Sequence, residues 1–162
     1  MTKKQLMGVV AEFATAFPDW TMFEDGTAFV RKSGPIQQMI WFQKMSSGSY
    51  RPTHVINTLP IAIPRMLTQM PFRPSTVAYK SHDRKWREML SAMEQQFKPD
   101  IRKPLDIAET LILCRAEARE TTNDLAMLAI LYAWLSYKAE AVDCCERMQQ
   151  GNRFRLTGAS AG

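Results

Sequence analysis

Residues 36–45, IQQMIWFQKM, carry apolar side chains at both sets of alternating positions. Successive side chains of a strand point to opposite faces of its sheet. The two apolar sets are Ile36, Ile40 and Phe42, and Met39, Trp41 and Met45. This pattern predicts either a central strand covered on both faces or a strand with one binding face. Because Trp41 and Phe42 are neighbours, we expect one to belong to the core and the other to be partly exposed.

Turn signals and periodic segments around this strand predict the rest of the fold. The strand lies between a Ser-Gly-Pro turn at residues 33–35 and a Ser/Gly loop at residues 46–52, and a returning strand covers residues 53–63. Apolar residues recur at helical spacing over residues 3–17, 81–97, 106–118, 124–135 and 139–148. The predicted class is α+β: an antiparallel β-meander of three to four strands packed against four to five helices, with a helical C-terminal half.

Polar residues predict where four of these helices begin, and Ser81 is the candidate cap of the helix over residues 81–97. Thr2 and Gln5 have the spacing of a capping box, and Asp106 stands at the N-cap position with Glu109 three residues later. The TTN string at residues 121–123 breaks one helix and caps the next. The last two helices are then joined by a tight connection and form an αα-hairpin.

Size and composition predict a single α+β domain over residues 1–150, followed by a flexible, Gly/Ala/Ser-rich tail over residues 151–162. The longest apolar run, residues 125–135, is LAMLAILYAWL. A membrane-spanning helix needs about 20 apolar residues, so this run predicts a buried helix and no contact with a membrane. An odd number of cysteines, two of them adjacent, does not form a disulfide framework. We therefore expect a reducing, cytoplasmic location and no signal peptide.

Charge is distributed unevenly along the chain. The net charge is +5, but residues 28–105 carry 13 Lys/Arg and 4 Asp/Glu, a balance of +9. Residues 106–150 carry 4 Lys/Arg and 8 Asp/Glu, a balance of −4. A basic middle section favours an anionic partner, either an acidic protein surface or nucleic acid, unless the charges only solvate the surface.

The basic middle section also carries the aromatic residues that anchor protein interfaces. Aromatic and arginine side chains are enriched among binding hot spots, and they equally suit stacking on single-stranded bases. The predicted partner-binding residues are Arg31, Lys32, Trp41, Lys44, Tyr50, Arg51, Arg65, Arg73 and Arg84.

Catalytic and cofactor motifs are missing from this sequence. The two histidines, His54 and His82, lack the spacing of zinc ligands, and Cys144 and Cys145 would diverge by about 100° on a helix. Either histidine could pair with Cys114 as a base with a nucleophile, but Cys114 lies in an apolar helical stripe where cysteine is usually inert. No phosphate-binding loop is found. We predict a protein that is not an enzyme and has no metal or cofactor.

Several strings resemble a family of bacterial proteins known as domain of unknown function 4304. The matching pieces are TAFVR at residues 27–31, QMIWFQK at 38–44 and HVINTL at 54–59, followed by a helical hairpin over residues 128–144. The resemblance implies an N-terminal helix, an antiparallel set of strands and a helical C-terminal part. Proteins of this sort are similar to immunity proteins, small intracellular binders that neutralise a toxin.

The function expected from these observations is non-catalytic binding, in which an immunity-type protein neutralises a bacterial toxin through a basic, aromatic strand-loop face. The alternative is a nucleic-acid-associated regulatory protein that uses the same face. The two differ in salt response, because binding to nucleic acid weakens steeply as salt rises.

Overall fold

The computed structural model describes residues 1–59, 63–66, 76–119 and 121–158. The α-helices are α1 (Lys3–Thr15), α2 (His82–Gln96), α3 (Ile107–Glu117), α4 (Thr122–Trp134) and α5 (Lys138–Gly158). The strands are β1 (Thr21–Met22), β2 (Ala28–Ser33), β3 (Ile36–Lys44), β4 (Ser49–Thr58), β5 (Ile63–Met66) and β6 (Val77–Ala78). The first four helices begin and end close to their predicted bounds.

The strands form one antiparallel sheet in the order β1-β2-β3-β4-β5, and β6 pairs with β4. Phe29 of β2 lies opposite Ile40 of β3, and Tyr50 of β4 lies opposite Val77 of β6. The predicted α+β class, the antiparallel meander and the helical C-terminal half are confirmed. The two-residue strands β1 and β6 extend the sheet beyond the three to four strands expected.

The chain divides into two compact units. The first comprises Met1–Asn57 with Pro64–Leu105, and the second comprises Thr58–Ile63 with Asp106–Gly162. The single domain over residues 1–150 stays a prediction. Helix α5 continues to Gly158, residues 159–162 lie outside the described part of the chain, and the flexibility of the tail also stays a prediction.

In the first unit, α1 and α2 cover one face of the sheet. We call this the first face and define it by Phe29, Arg31, Gln38, Ile40, Phe42, Tyr50 and His54. The ring of Phe13 on α1 lies 5.0 Å from that of Phe42 and 6.1 Å from that of Tyr50. Trp86 on α2 packs edge-on against the same Phe13 at 5.7 Å. This aromatic cluster forms the core of the first unit.

The predicted N-caps at Thr2, Asp106 and Thr121 are confirmed, whereas Ser81 precedes α2 but its side chain makes no capping hydrogen bond. The hydroxyl of Thr2 accepts a hydrogen bond from the backbone N–H of Gln5, whose side chain accepts one from the backbone N–H of Thr2. The carboxylate of Asp106 accepts from the backbone N–H groups of Ala108 and Glu109. Thr121 caps α4 in the same way. Each cap satisfies backbone donors that the first helical turn leaves without an internal partner.

The second unit is built on α3, α4 and α5. Helix α4 packs against both of the others, and its buried side chains are Leu125, Met127, Leu128, Ala129, Leu131 and Tyr132. The predicted central position of this apolar helix is confirmed within the unit. Ser136, with φ of 65°, makes the tight connection from α4 to α5. Among the described residues, no helix has both the length and the apolar character needed to cross a bilayer.

Candidate partner-binding face

Strand β3 separates its two neighbouring aromatic residues onto opposite sides of the sheet. Phe42 is 1% exposed and lies in the core of the first unit, whereas Trp41 is 39% exposed. The prediction that one of the two is core and the other partly exposed is confirmed. The exposed indole makes the side of the sheet away from Phe42 the candidate site.

We call this side the second face and define it by Lys32, Gln37, Met39, Trp41, Gln43, Arg51 and Asn57. Strand pairing places Lys32 opposite Gln37. Two side-chain hydrogen bonds then join β3 to β4. Arg51 Nη2 donates to Gln43 Oε1 at 2.6 Å, and Asn57 Nδ2 donates to Gln37 Oε1 at 3.4 Å. All seven side chains are exposed or half-buried.

Not all of this side of the sheet is accessible. Val30, Thr53 and Val55 lie on the same side of the sheet as the second face, beside its residues, but they are buried. The accessible part is therefore a band of amide, guanidinium and ammonium groups around one indole. Such a mixture of an aromatic anchor and adaptable hydrogen-bonding groups is typical of protein interfaces.

Of the predicted lysine and arginine residues, Lys32 and Arg51 lie on the second face, whereas Lys44 and Arg84 do not. Lys44 is exposed at the last position of β3. Arg84 is exposed on α2, which belongs to the layer that covers the first face. The side chain of Arg65 and all of residue 73, the predicted Arg73, lie outside the described part of the structure.

Arg31 was predicted to contact a partner, but the structure buries it, and only 8% of the residue is exposed. Its Nη1 forms an ion pair with Asp19 Oδ2 at 2.6 Å, and its Nη2 donates to Gln38 Oε1 at 2.8 Å. It also donates to the backbone carbonyl of Lys103 and lies 4.7 Å from the ring of Trp20. These contacts use the guanidinium internally, so Arg31 is corrected to a structural residue.

Tyr50 is a second correction, because it is fully buried rather than part of a contact face. Strand β4 begins at Ser49, so Tyr50 lies in the sheet and not in the predicted loop, and alternation turns it toward the core. Its hydroxyl lies 2.9 Å from His82 Nδ1, and His82 Nε2 lies 2.8 Å from Glu12 Oε2. Burial raises the pKa of the Tyr50 phenol, and the nearby charge of Glu12 acts in the same direction.

His54 lies in the interior of the first unit and is uncharged at neutral pH. The pKa of His54 is lowered to about 3, mainly because burial disfavours the charged ring; a backbone hydrogen bond with Lys98 opposes this shift, and the charge of Arg31 adds to it. Its Nε2 lies 3.1 Å from the side-chain nitrogen of Gln38. A Gln38 amide donates hydrogen bonds through nitrogen, so His54 Nε2 is the acceptor and Nδ1 carries the proton.

The candidate nucleophile, Cys114, and the candidate base His82 are engaged in internal contacts. Both ring nitrogens of His82 are hydrogen-bonded, to Tyr50 and to Glu12. The thiol of Cys114 is buried and lies 3.9 Å from Met127 Sδ. Within the described ranges, no three His, Cys, Asp or Glu side chains come together as a metal site would require. The absence of catalysis, metal and cofactor stays a prediction.

The predicted partner-binding residues did not include four members of the second face, although alternation had placed the first of them on the face of Trp41: Met39, Gln37 and Gln43 on β3, and Asn57 on β4. The signal that finds those on β3 is alternation from Trp41, because every second residue of a strand shares its face. The side-chain hydrogen bonds from β3 to β4 can be predicted only when the register of the two strands is known. Such pairs contribute less to stability than buried contacts do and leave polar groups available at the surface.

No protein-family model, curated protein or solved structure matches the chain. The resemblance to domain of unknown function 4304 therefore rests on the strings of residues given above.

Proposed function

We propose that this chain is a non-catalytic binding protein of the immunity type, which acts in the bacterial cytoplasm and neutralises a toxin by covering it with the second face. The observation that carries the proposal is the exposure of Trp41 in the middle of a sheet, beside the half-buried Arg51–Gln43 pair. The resemblance to domain of unknown function 4304 supports a toxin as the partner.

The proposed contact combines one anchor with a polar surround. Trp41 enters an apolar pocket of the partner and loses water, while Arg51 and Lys32 face acidic groups. Within the described part of the chain, Arg51 donates one hydrogen bond to Gln43. A guanidinium has several N–H donors, so others can bind a carboxylate of the partner. Charge complementarity accelerates association more than it deepens affinity.

The first experiment is an affinity pull-down of the tagged chain from its native cells, with and without nuclease, read by mass spectrometry. The proposal predicts one stoichiometric protein partner whose recovery does not depend on nuclease. Recovery that disappears after nuclease treatment, together with a steep loss of binding with salt, would replace it with the nucleic-acid alternative.

Substitutions then locate the contact on the isolated complex. Trp41→Ala and Arg51→Glu are each expected to weaken the partner's affinity at least about tenfold, the scale of an interface hot spot. Arg84→Glu is the matched control, because it reverses one exposed charge on α2, away from the second face. Equal affinities for the three variants and the unchanged chain, measured by calorimetry, would show that the partner binds elsewhere.

A further inference from the structure

Two adjoining cavities of the second unit carry charged groups that the proposed function does not use. One has a volume of about 530 Å³ and is lined by α3, α4 and α5, and the other, of about 360 Å³, is lined by α3 and the connection from α4 to α5. Arg115, Tyr132 and Glu140 line both cavities, so we treat the two as one site and call it the α3–α5 cleft. Cavities of this size hold small ligands in many proteins.

Two opposite charges line this cleft without binding each other. Arg115 lies in the last turn of α3 and Glu140 in the first turn of α5, where each charge also suits the dipole of its own helix. Within the described part of the chain, neither side chain has an ion pair or a hydrogen bond. Asp143 and Arg147, the other charged residues of the cleft, lie 3.4 Å apart and pair with each other. The cleft therefore offers one cationic and one anionic group to a ligand.

The charge balance of the cleft favours a ligand that is a zwitterion. A ligand with a carboxylate alone would bind Arg115 but bring a like charge toward Glu140, and a ligand with an amine alone would meet the converse problem. A molecule with both groups satisfies both side chains. A guanidinium also matches the planar geometry of a carboxylate, with two parallel hydrogen bonds.

The remainder of the cleft suits an apolar ligand body. Leu111, Leu125 and Leu128 line it and are buried. Ile112 and Tyr137 also line it, yet they are 66% and 50% exposed. Large apolar side chains that remain exposed beside a cavity are typical of ligand-binding grooves. A bound ligand would cover these two side chains.

We propose that the α3–α5 cleft binds a small zwitterion with an apolar side chain, supplied either as a free α-amino acid or as a short peptide with free ends. Arg115 binds the carboxylate, Glu140 binds the ammonium group, and the leucines contact the apolar side chain. Every residue of the cleft belongs to the second unit and none belongs to the second face. Ligand binding at the cleft and partner binding at the second face can therefore fail independently.

Calorimetry of the full chain with defined probes tests the proposal. L-leucine and leucyl-leucine carry the same end groups at different separations, so the tighter of the two identifies the free amino acid or the peptide as the source. Their N-acetyl forms lack the ammonium group, and their C-terminal amides lack the carboxylate. Each blocked form is expected to bind at least about tenfold more weakly than its parent, because it loses a charge-assisted contact. No binding of either parent at millimolar concentration, or equal binding of the blocked forms, would overturn the proposal.

Substitutions then place the ligand in the cleft. Arg115→Met and Glu140→Gln are each expected to weaken binding of the tighter probe at least about tenfold. Arg119→Met and Glu146→Gln are the matched controls, because both residues are exposed and line neither cavity. A variant and its control with equal affinities would show that the probe binds elsewhere.

A steric variant tests the cleft without removing either charge. Ala139 is exposed at the start of α5 and lines the larger cavity. Ala139→Trp should fill that cavity, so we expect it to abolish binding of the probe while circular dichroism shows an unchanged fold. Full affinity in this variant would overturn the assignment of the ligand to the cleft.

Discussion

Arg31 on β2 and Arg51 on β4 lie in the same sheet with β3 between them, yet their surroundings differ in almost every respect. Arg31 on the first face is buried and contacts Asp19, Gln38, Trp20 and the Lys103 carbonyl. Arg51 on the second face is half-buried and donates to Gln43. A buried guanidinium with several acceptors is part of the structure, whereas one whose acceptor within the described residues is a single amide can exchange that amide for a carboxylate at little cost.

The contrast shows why residue type alone does not locate a binding face. Both arginines follow an aromatic residue by one or two positions, Arg31 after Phe29 and Arg51 after Tyr50, in a basic stretch of sequence. Both were predicted to bind a partner. The number of internal acceptors separates them. The largest expected effect on stability is therefore found on the first face, and the effects on partner binding belong to the second.

Substituting each arginine by methionine tests whether the two environments contribute differently to stability, and it is expected to give the largest effect. Arg31→Met removes the ion pair with the half-exposed Asp19 and leaves both Gln38 Oε1 and the Lys103 carbonyl without this donor, so we expect the free energy of unfolding to fall by about 3 kcal/mol. Arg51→Met should change it by less than about 1 kcal/mol, the usual range for a half-exposed polar contact. Urea unfolding followed by circular dichroism measures both. Equal losses would mean that the two environments do not differ energetically.

The pH dependence of stability sharpens the picture of the first face. The pKa of His54 is about 3 in the folded chain and about 6.5 when unfolded, so the unfolded state binds the proton first as pH falls. The contribution of His54 is fully present above pH 6.5 and is lost as pH falls toward 3. Between pH 7 and pH 5 we expect a loss of about 2 kcal/mol.

The variant His54→Gln isolates this contribution. Its stability is expected to change less than that of the unchanged chain between pH 7 and pH 5, whatever its absolute value at pH 7. His82→Gln is the comparison, because it removes the other histidine and keeps the His54 contribution. The same slope in the unchanged chain and in His54→Gln would show that His54 is not the group that titrates.

The smallest effect concerns the bonds that join Tyr50, His82 and Glu12. Tyr50→Phe removes the hydroxyl that reaches His82 Nδ1 and should cost about 1.5 kcal/mol, the range for a buried hydrogen bond whose partner is left unsatisfied. Glu12→Gln should cost less than about 1 kcal/mol, because the Glu12 side chain is 42% exposed. Thermal unfolding ranks the two. A larger loss for Glu12→Gln would mean that the exposed contact between His82 and Glu12 contributes more to stability than the buried one between Tyr50 and His82.

Local sequence signals predicted much of this fold. The alternation in β3 predicted that Trp41 and Phe42 separate, because side-chain direction in a strand depends only on position. The caps at Thr2, Asp106 and Thr121 were predicted for the same reason, since a capping bond joins residues within three positions of one another. The apolar run of α4 predicted its central place among the helices.

The errors concern contacts between residues that are far apart in sequence. Arg31 meets Asp19 and Lys103, which are 12 and 72 residues away, and nothing near Arg31 in the chain signals either contact. Tyr50 meets His82, 32 residues later. The start of β4 at Ser49 decided the direction of Tyr50, and a short Ser/Gly stretch does not locate a strand end to one residue. The hydrogen-bonded pairs Arg51–Gln43 and Asn57–Gln37 of the second face were not predicted either, because they depend on the register of β3 against β4.

The core of the first unit also dictates an order of events during synthesis. Its buried cluster runs from Leu6 to Ile101, and Phe42 precedes Phe97 by 97 − 42 = 55 residues. At roughly 5–20 residues per second, a ribosome releases Phe42 several seconds before the helix that ends beside Phe97. Until then α1 is the helix available to cover the aromatic side chains of these strands, and the part of the first face that α2 covers stays open for this interval. The helices that follow make mainly local contacts and have no comparable delay.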